Sequence, residues 1–106
     1  MTDFIEVRTT TDDREGAHKI ALALVSQRLA ACVQISGPIT SIYWWQGEMS
    51  ETEEWICIAK TQKRLYAVVE QAIRQLHTYD EPEIIATEIG AGSASYFSWI
   101  ARETLT

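Results

Sequence analysis

Ile5, Val7 and Thr9 alternate with Phe4, Glu6 and Arg8, a two-residue period that predicts a strand over 4–10 with one apolar face. The period then lengthens. Ala17, Ile20, Ala21, Leu24 and Val25 recur at helical spacing and predict an amphipathic helix to about Arg28. Thr11, Asp12 and Asp13 offer N-caps for it, and Glu15, three residues after Asp12, suits a capping box. Alternation returns near Ala31, with Val33 and Ile35 on one face and Cys32 and Gln34 on the other. Gly37-Pro38 interrupts the pattern and marks a bulge or an edge, because Pro donates no ladder bond. The β-branched and aromatic run ITSIYWW then resumes the strand. The polar, acidic stretch 47–53 predicts the turn, and 54–61 the returning strand. Leu65, Val68, Val69, Ala72 and Leu76 outline a second amphipathic helix. HTYDEPE reads as a loop, with Pro82 restricting Glu81 to extended conformations. IIATEIG, 84–90, is a fourth strand, and Tyr96, Phe97, Trp99 and Ile100 mark a short last helix capped by Ser93 or Ser95.

The order β-α-β-β-α-β plus a last helix predicts an α+β, ferredoxin-like domain spanning 1–106, with a four-stranded antiparallel sheet and a long hairpin. Right-handed crossovers place both long helices on one sheet face. The other face, carrying Phe4, Ile84 and Trp55, is left without cover. Residues 31–46 at about 3.3 Å each would reach roughly 50 Å, against a radius of gyration near ~13 Å for a domain of this size. Much of the hairpin should therefore project. Trp44 and Trp45, adjacent in a strand, face opposite ways. Another copy of the chain is the simplest cover, with Tyr43, Trp44, Trp45 and Trp55 at the oligomer interface. The competing expectation is that the last helix folds back over these rings.

Composition narrows the function classes. A hydrophobic share of 46% and a charged share of 23% are ordinary for a globular protein. No apolar run approaches the ~20 residues of a membrane span, and MTDFIEVRTT lacks the pattern of a signal peptide. A cytoplasmic location is expected. The net charge of −6, with nine Lys and Arg, argues against a nucleic-acid partner. Cys32 and Cys57 are expected to be free thiols, since hairpin pairing would not set them opposite one another.

Taken together, LAACVQI, SIYWWQGEM, EEWICIAKT, HTYDEPEI and SYFSWI resemble the CutA family of divalent-cation-tolerance proteins, over about residues 4–100. The most telling elements are the Trp-Gly hairpin tip, Lys60-Thr61 and the Tyr79-x-x-Pro82-Glu83 loop. The resemblance implies a fold close to the PII signalling proteins, a stable homotrimer, a role in copper and divalent-cation tolerance, and no settled catalysis. It also implies copper ligands on a first-strand thiol and a histidine pair. Here those positions hold Arg8, Leu76 and His77, so only His77 is kept.

The residues themselves offer several candidate sites. His77 and Glu83 flank one loop, and imidazole with carboxylate suits a divalent cation such as copper. The alternative for His77 is a helix C-terminal residue that favours the macrodipole. Lys60, Tyr79 and Glu83 are expected to form either an intersubunit salt bridge, with the Tyr79 hydroxyl satisfied at the interface, or a polar ligand pocket between subunits. The pocket would make the chain a PII-like trimer sensing a nucleotide or small anion. Glu48, Glu51, Glu53 and Glu54 are expected to cluster at the hairpin tip, and Glu6 with Arg8 to pair within or between subunits. Helix N-terminal amides after Gly92 could hold an anion in place of a simple cap. No nucleophile elbow or phosphate-cradling glycine loop is present, so an acylphosphatase-like enzyme is the least supported reading.

Overall fold

The computed structural model describes residues 3–105. Its elements are β1 (Phe4–Thr11), α1 (Arg14–Ser26), β2 (Cys32–Trp45), β3 (Glu48–Gln62), α2 (Tyr66–Leu76), β4 (Ile85–Glu88) and α3 (Ala94–Glu103), with a 3-10 turn at Lys63–Leu65 leading into α2. The strands pair antiparallel in the order β2-β3-β1-β4. This is the ferredoxin-like arrangement, with an added C-terminal helix.

Ile5 and Val7 of β1 and Ala59 of β3 meet Ile20 and Leu24 of α1 and Val69 and Ile73 of α2 in one buried cluster. The apolar alternation of the strands and the apolar stripes of both helices are thus two halves of one core. Asp13 caps α1, its Oδ1 accepting from the Gly16 N–H at 2.7 Å. The cap therefore falls one residue after Asp12, so the expected box with Glu15 does not form, and α1 ends at Ser26 rather than Arg28. Among the described residues no helix is long and apolar enough to cross a membrane.

The second face of the sheet is covered at one end only. Phe4 stacks on Phe97 of α3 at 4.5 Å between ring centroids. Gln62, which pairs with Phe4 across the ladder, bonds Thr104 Oγ1 through its side-chain amide at 2.7 Å. The last helix thus seals the end of the face that carries Phe4. It caps itself with Ser93, whose Oγ accepts from the Tyr96 N–H at 3.2 Å. Ile84 departs from expectation. It precedes β4 and packs against the helix-side core, while Ile85 takes the open face opposite Arg8 and is exposed. Trp55 departs too. It shares the parity of Cys57 and lies half-buried over Gly37. Among the described residues neither Glu6 nor Arg8 forms an ion pair.

The hairpin is longer than the acidic stretch suggested. The chain reverses at Gln46 (φ 50°) and Gly47 (φ 82°), the two successive positive φ values of a tight two-residue hairpin turn. Residues 48–53 are strand, with Trp45 paired to Glu48 and Thr40 to Glu53. β1 pairs with β3 only from Gln62 back to Trp55. Beyond that point β2 and β3 pair only with each other and form an arm; the molecule measures 45 × 25 × 22 Å. The arm begins at a bulge, where Gly37 and Pro38 together stand between the pairs Ser36–Ile56 and Ile39–Glu54, facing Trp55 alone.

Candidate binding cleft at the root of the arm

The bulge decides which side chains share a face. Before it, Val33 and Ile35 pair with the core-facing Ala59 and Cys57. After it, Ile39, Ser41, Tyr43 and Trp45 pair with Glu54, Thr52, Ser50 and Glu48, on the side turned away from the helices. Ile42 and Trp44, paired with Glu51 and Met49, occupy the reverse side. The two indoles therefore do point opposite ways, and both are exposed, Trp45 at 44% and Trp44 at 74%.

The loop between α2 and β4 closes against this side of the arm. His77 holds it. Its Nε2–H donates to the Thr10 carbonyl at 2.7 Å, and its Nδ1 accepts the Tyr79 N–H at 3.1 Å. One ring nitrogen must donate and the other accept, so this pair of bonds selects the neutral Nε2–H tautomer. Tyr79 then reaches across the open face, and its hydroxyl donates to Glu54 Oε2 at 2.7 Å. Burial, followed by the bond to Glu54 and the charges of Glu54 and Asp12, pushes the Tyr79 phenol well above its ordinary value.

Between loop and arm lies a cleft of about 730 Å³. Tyr43 and Trp45 line it from the arm, Thr10 and Glu54 from the sheet, and Tyr79, Asp80, Glu81 and Glu83 from the loop. Ser41, Ile42 and Trp44 complete the lining, which holds four acidic residues and, among the described residues, no Lys, Arg or His.

Of the residues singled out by sequence, Tyr79 and Glu83 meet in the cleft. Lys60 does not. It sits six residues along β3 from Glu54, about 20 Å at ~3.3 Å per residue, and its Nζ donates to Gln34 Oε1 at 2.7 Å. His77 is consumed by its two bonds and keeps no lone pair for a cation. Glu83 faces the cleft instead, and among the described residues no three His, Cys, Asp or Glu side chains gather as a metal site. Arg8 and Leu76 offer no ligand atoms, so a resident copper centre does not fit the side chains present. The four hairpin glutamates do not form one cluster either. Glu51 and Glu53 lie on the reverse side of the arm, and Glu54 is 6% exposed and bound to Tyr79. Sequence reading named Glu54 but grouped it with the hairpin-tip carboxylates rather than with the loop before β4. With the turn placed at 46–47, strand alternation would have set it beside Ser41 and Tyr43.

Fold and cleft define a class: a ferredoxin-like domain whose central hairpin is drawn out into an aromatic arm with a polar cleft at its root. The profile described as "CutA1 divalent ion tolerance protein" matches residues 5–103, and the chain belongs to that family. It is 41% identical over 98 residues to the divalent-cation tolerance protein CutA of Thermus thermophilus, covering 92% of this chain and 95% of that protein. It is 37% identical to a chloroplastic CutA of Arabidopsis thaliana, covering 94% of this chain but only 55% of that longer protein. The crystal structure of CutA1 from Shewanella sp. SIB1 superposes with a TM-score of 0.94 at 36% identity, covering 98% of this chain and 97% of that one.

Proposed function

We propose that the chain is a homotrimeric cytoplasmic binding protein that serves divalent-cation tolerance and catalyses no reaction. The observation that carries this reading is the bare arm. Ile42, Trp44 and Met49 are 63%, 74% and 69% exposed on its reverse side. Such a contiguous apolar patch on a strand pair is a recognition surface or a liability. Sister chains are its cover, and three copies around the open sheet faces would shelter Ile56, Ile58 and Ile85 as well. Two free thiols accord with a reducing compartment. Tolerance without a resident copper centre would work through weak cation contacts with the exposed carboxylates, or through a ligand other than the metal.

Sedimentation equilibrium tests the assembly. Three protomer masses are expected at micromolar concentration, falling toward one in the double variant Trp44→Ala, Met49→Ala. A wild-type monomer would end the proposal. Calorimetry with Cu²⁺ should give weak heats that are unchanged in His77→Ala.

The second reading, a PII-like sensor, gains from the cleft. Its volume falls in the range of roughly 300–1,000 Å³ typical of small-molecule sites. Its carboxylates oppose a nucleotide or any other anion, so the charge of the ligand must be reversed.

A further inference from the structure

We propose that the cleft at the root of the arm holds an organic cationic group, an alkylammonium or a guanidinium. The inference rests on the ligand-binding reading of the cleft and is tested separately from the number of subunits. Three observations meet in it.

The first is shape and surface. The volume of about 730 Å³ is walled by Trp45 and Tyr43 on one side and Tyr79 on the other. Aromatic faces carry negative charge density and attract cations that shed water easily, Trp most strongly. The second is charge. Glu54, Asp80, Glu81 and Glu83 line the same space, and among the described residues no basic residue lines it with them.

The third is Glu54 itself. It is 6% exposed, yet only one of its carboxylate oxygens is used, Oε2, by Tyr79. Among the described residues no donor reaches Oε1. Thr9 Oγ1, not Glu54 Oε1, is the buried side-chain oxygen left without a partner among the described residues, so Oε1 stays open to water and to a donor entering the cleft. A guanidinium or ammonium seated on the aromatic wall would bring a counter-charge and a charge-assisted hydrogen bond to that oxygen. A bare divalent ion suits the site less well, because Ca²⁺ wants six to eight oxygens in its shell and the aromatic wall provides few.

The cationic group can come from a free small molecule or from a basic side chain of a second copy. Arg8, exposed on the open sheet face, and Lys60 on β3 are the two basic side chains that the strand pattern places on that face.

Titration calorimetry of the full chain with n-butylguanidinium and tetramethylammonium chlorides tests the site, with sodium butyrate and MgCl₂ as controls. Both organic cations are expected to bind and butyrate not to. Glu54→Gln should weaken n-butylguanidinium at least about tenfold, as for loss of a charge-assisted bond. Glu83→Gln, an exposed position, should weaken it less, and Glu88→Gln, outside the cleft, not at all. Solution mass and circular dichroism on each variant separate loss of the site from loss of the fold. The same titrations on Arg8→Ala and Lys60→Ala distinguish the sources. Binding seen only in one of these would identify the sister chain as supplier of the group. Absence of binding in the wild type and in both of these variants would overturn the inference. So would equal affinity in wild type, Glu54→Gln and Glu83→Gln, or butyrate binding as tightly as the cations. A trimer that binds no cation as the wild type, as Arg8→Ala or as Lys60→Ala overturns this inference and leaves the assembly standing, and a monomer that binds cations does the reverse.

Discussion

The Tyr79 hydroxyl donates to Glu54 Oε2 at 2.7 Å, tying the loop before β4 to a strand residue 25 positions earlier in the chain. This bond bridges the sheet, the root of the arm and the loop, and it sets the floor of the cleft. Replacing Tyr79 by Phe keeps the ring and removes the donor. Glu54 Oε2 would lose the donor that serves it. A loss of about 1–3 kcal/mol in folding stability is expected from urea denaturation, with an unchanged slope.

The same bond predicts alkaline behaviour. The native Tyr79 phenol ionises well above its ordinary value, chiefly because it is buried. An unfolded chain releases that proton near pH ~10. The stability Tyr79 contributes is therefore intact below that pH. It declines as pH rises toward the native ionisation, because only the unfolded state has lost its proton there. In an ultraviolet pH titration, one tyrosine of the wild type should ionise late, and that late step should be missing in Tyr79→Phe.

His77 acts as a clasp. Its two ring bonds, to the Thr10 carbonyl and from the Tyr79 N–H, anchor the loop at both ends of the imidazole. In His77→Ala the Tyr79 amide should exchange with solvent at least about tenfold faster, matching the ~1 kcal/mol net worth of one such bond. The melting temperature should fall by a few degrees. Hydrogen-exchange mass spectrometry on the peptide spanning 77–84 gives the readout.

Gly37 cannot carry a side chain. Its φ is +152°, and a Cβ placed there would lie 2.8 Å from the Trp55 ring. Gly37→Ala combines a backbone conformation closed to L residues with a collision against an aromatic ring. A destabilisation of about 1–3 kcal/mol is expected, visible in urea denaturation and as a shift in Trp fluorescence.

The two thiols should differ sharply. Cys57 is buried, its Sγ–H donates to the Ala17 carbonyl at 3.3 Å, and burial pushes its pKa up to about 11. Cys32 is half-buried and pairs across the ladder with Lys60 rather than with Cys57. At pH 8, iodoacetamide should label Cys32 alone in the native protein and both cysteines after unfolding. Mass spectrometry counts the adducts.

Where burial and periodicity agree, the structure could be read from the sequence. Ile5 and Val7, the stripe of α1 and the stripe of α2 came out as one core because each apolar residue has one place to go. The loop residues Tyr79 and Glu83 were also legible, since Pro82 and the flanking polar run mark the loop and leave the aromatic ring in need of a partner. The arm was harder. Glu48, Glu51 and Glu53 have low strand propensity, yet they are held in β3 by their partners Trp45, Ile42 and Thr40 across the ladder. Misplacing the turn put Glu54 with the tip glutamates, because the face a residue occupies depends on register. Lys60 was joined to Tyr79 as an intersubunit pair; within one chain the strand length between Lys60 and Glu54 keeps them apart.

The bulge at Gly37-Pro38 has a consequence for how this protein could diverge. Removing one of those two residues would pair Ser36 with Ile56, the remaining residue with Trp55 and Ile39 with Glu54, leaving an unbroken ladder in which no strand residue changes partner. The extra residue is not there for adhesion. It works as a steering joint, since a bulge bends and twists the strand that bears it. The direction in which the arm leaves the sheet, and with it the gap between Trp45 and Tyr79, can thus be retuned by a one-residue deletion while the rest of the molecule stays as it is.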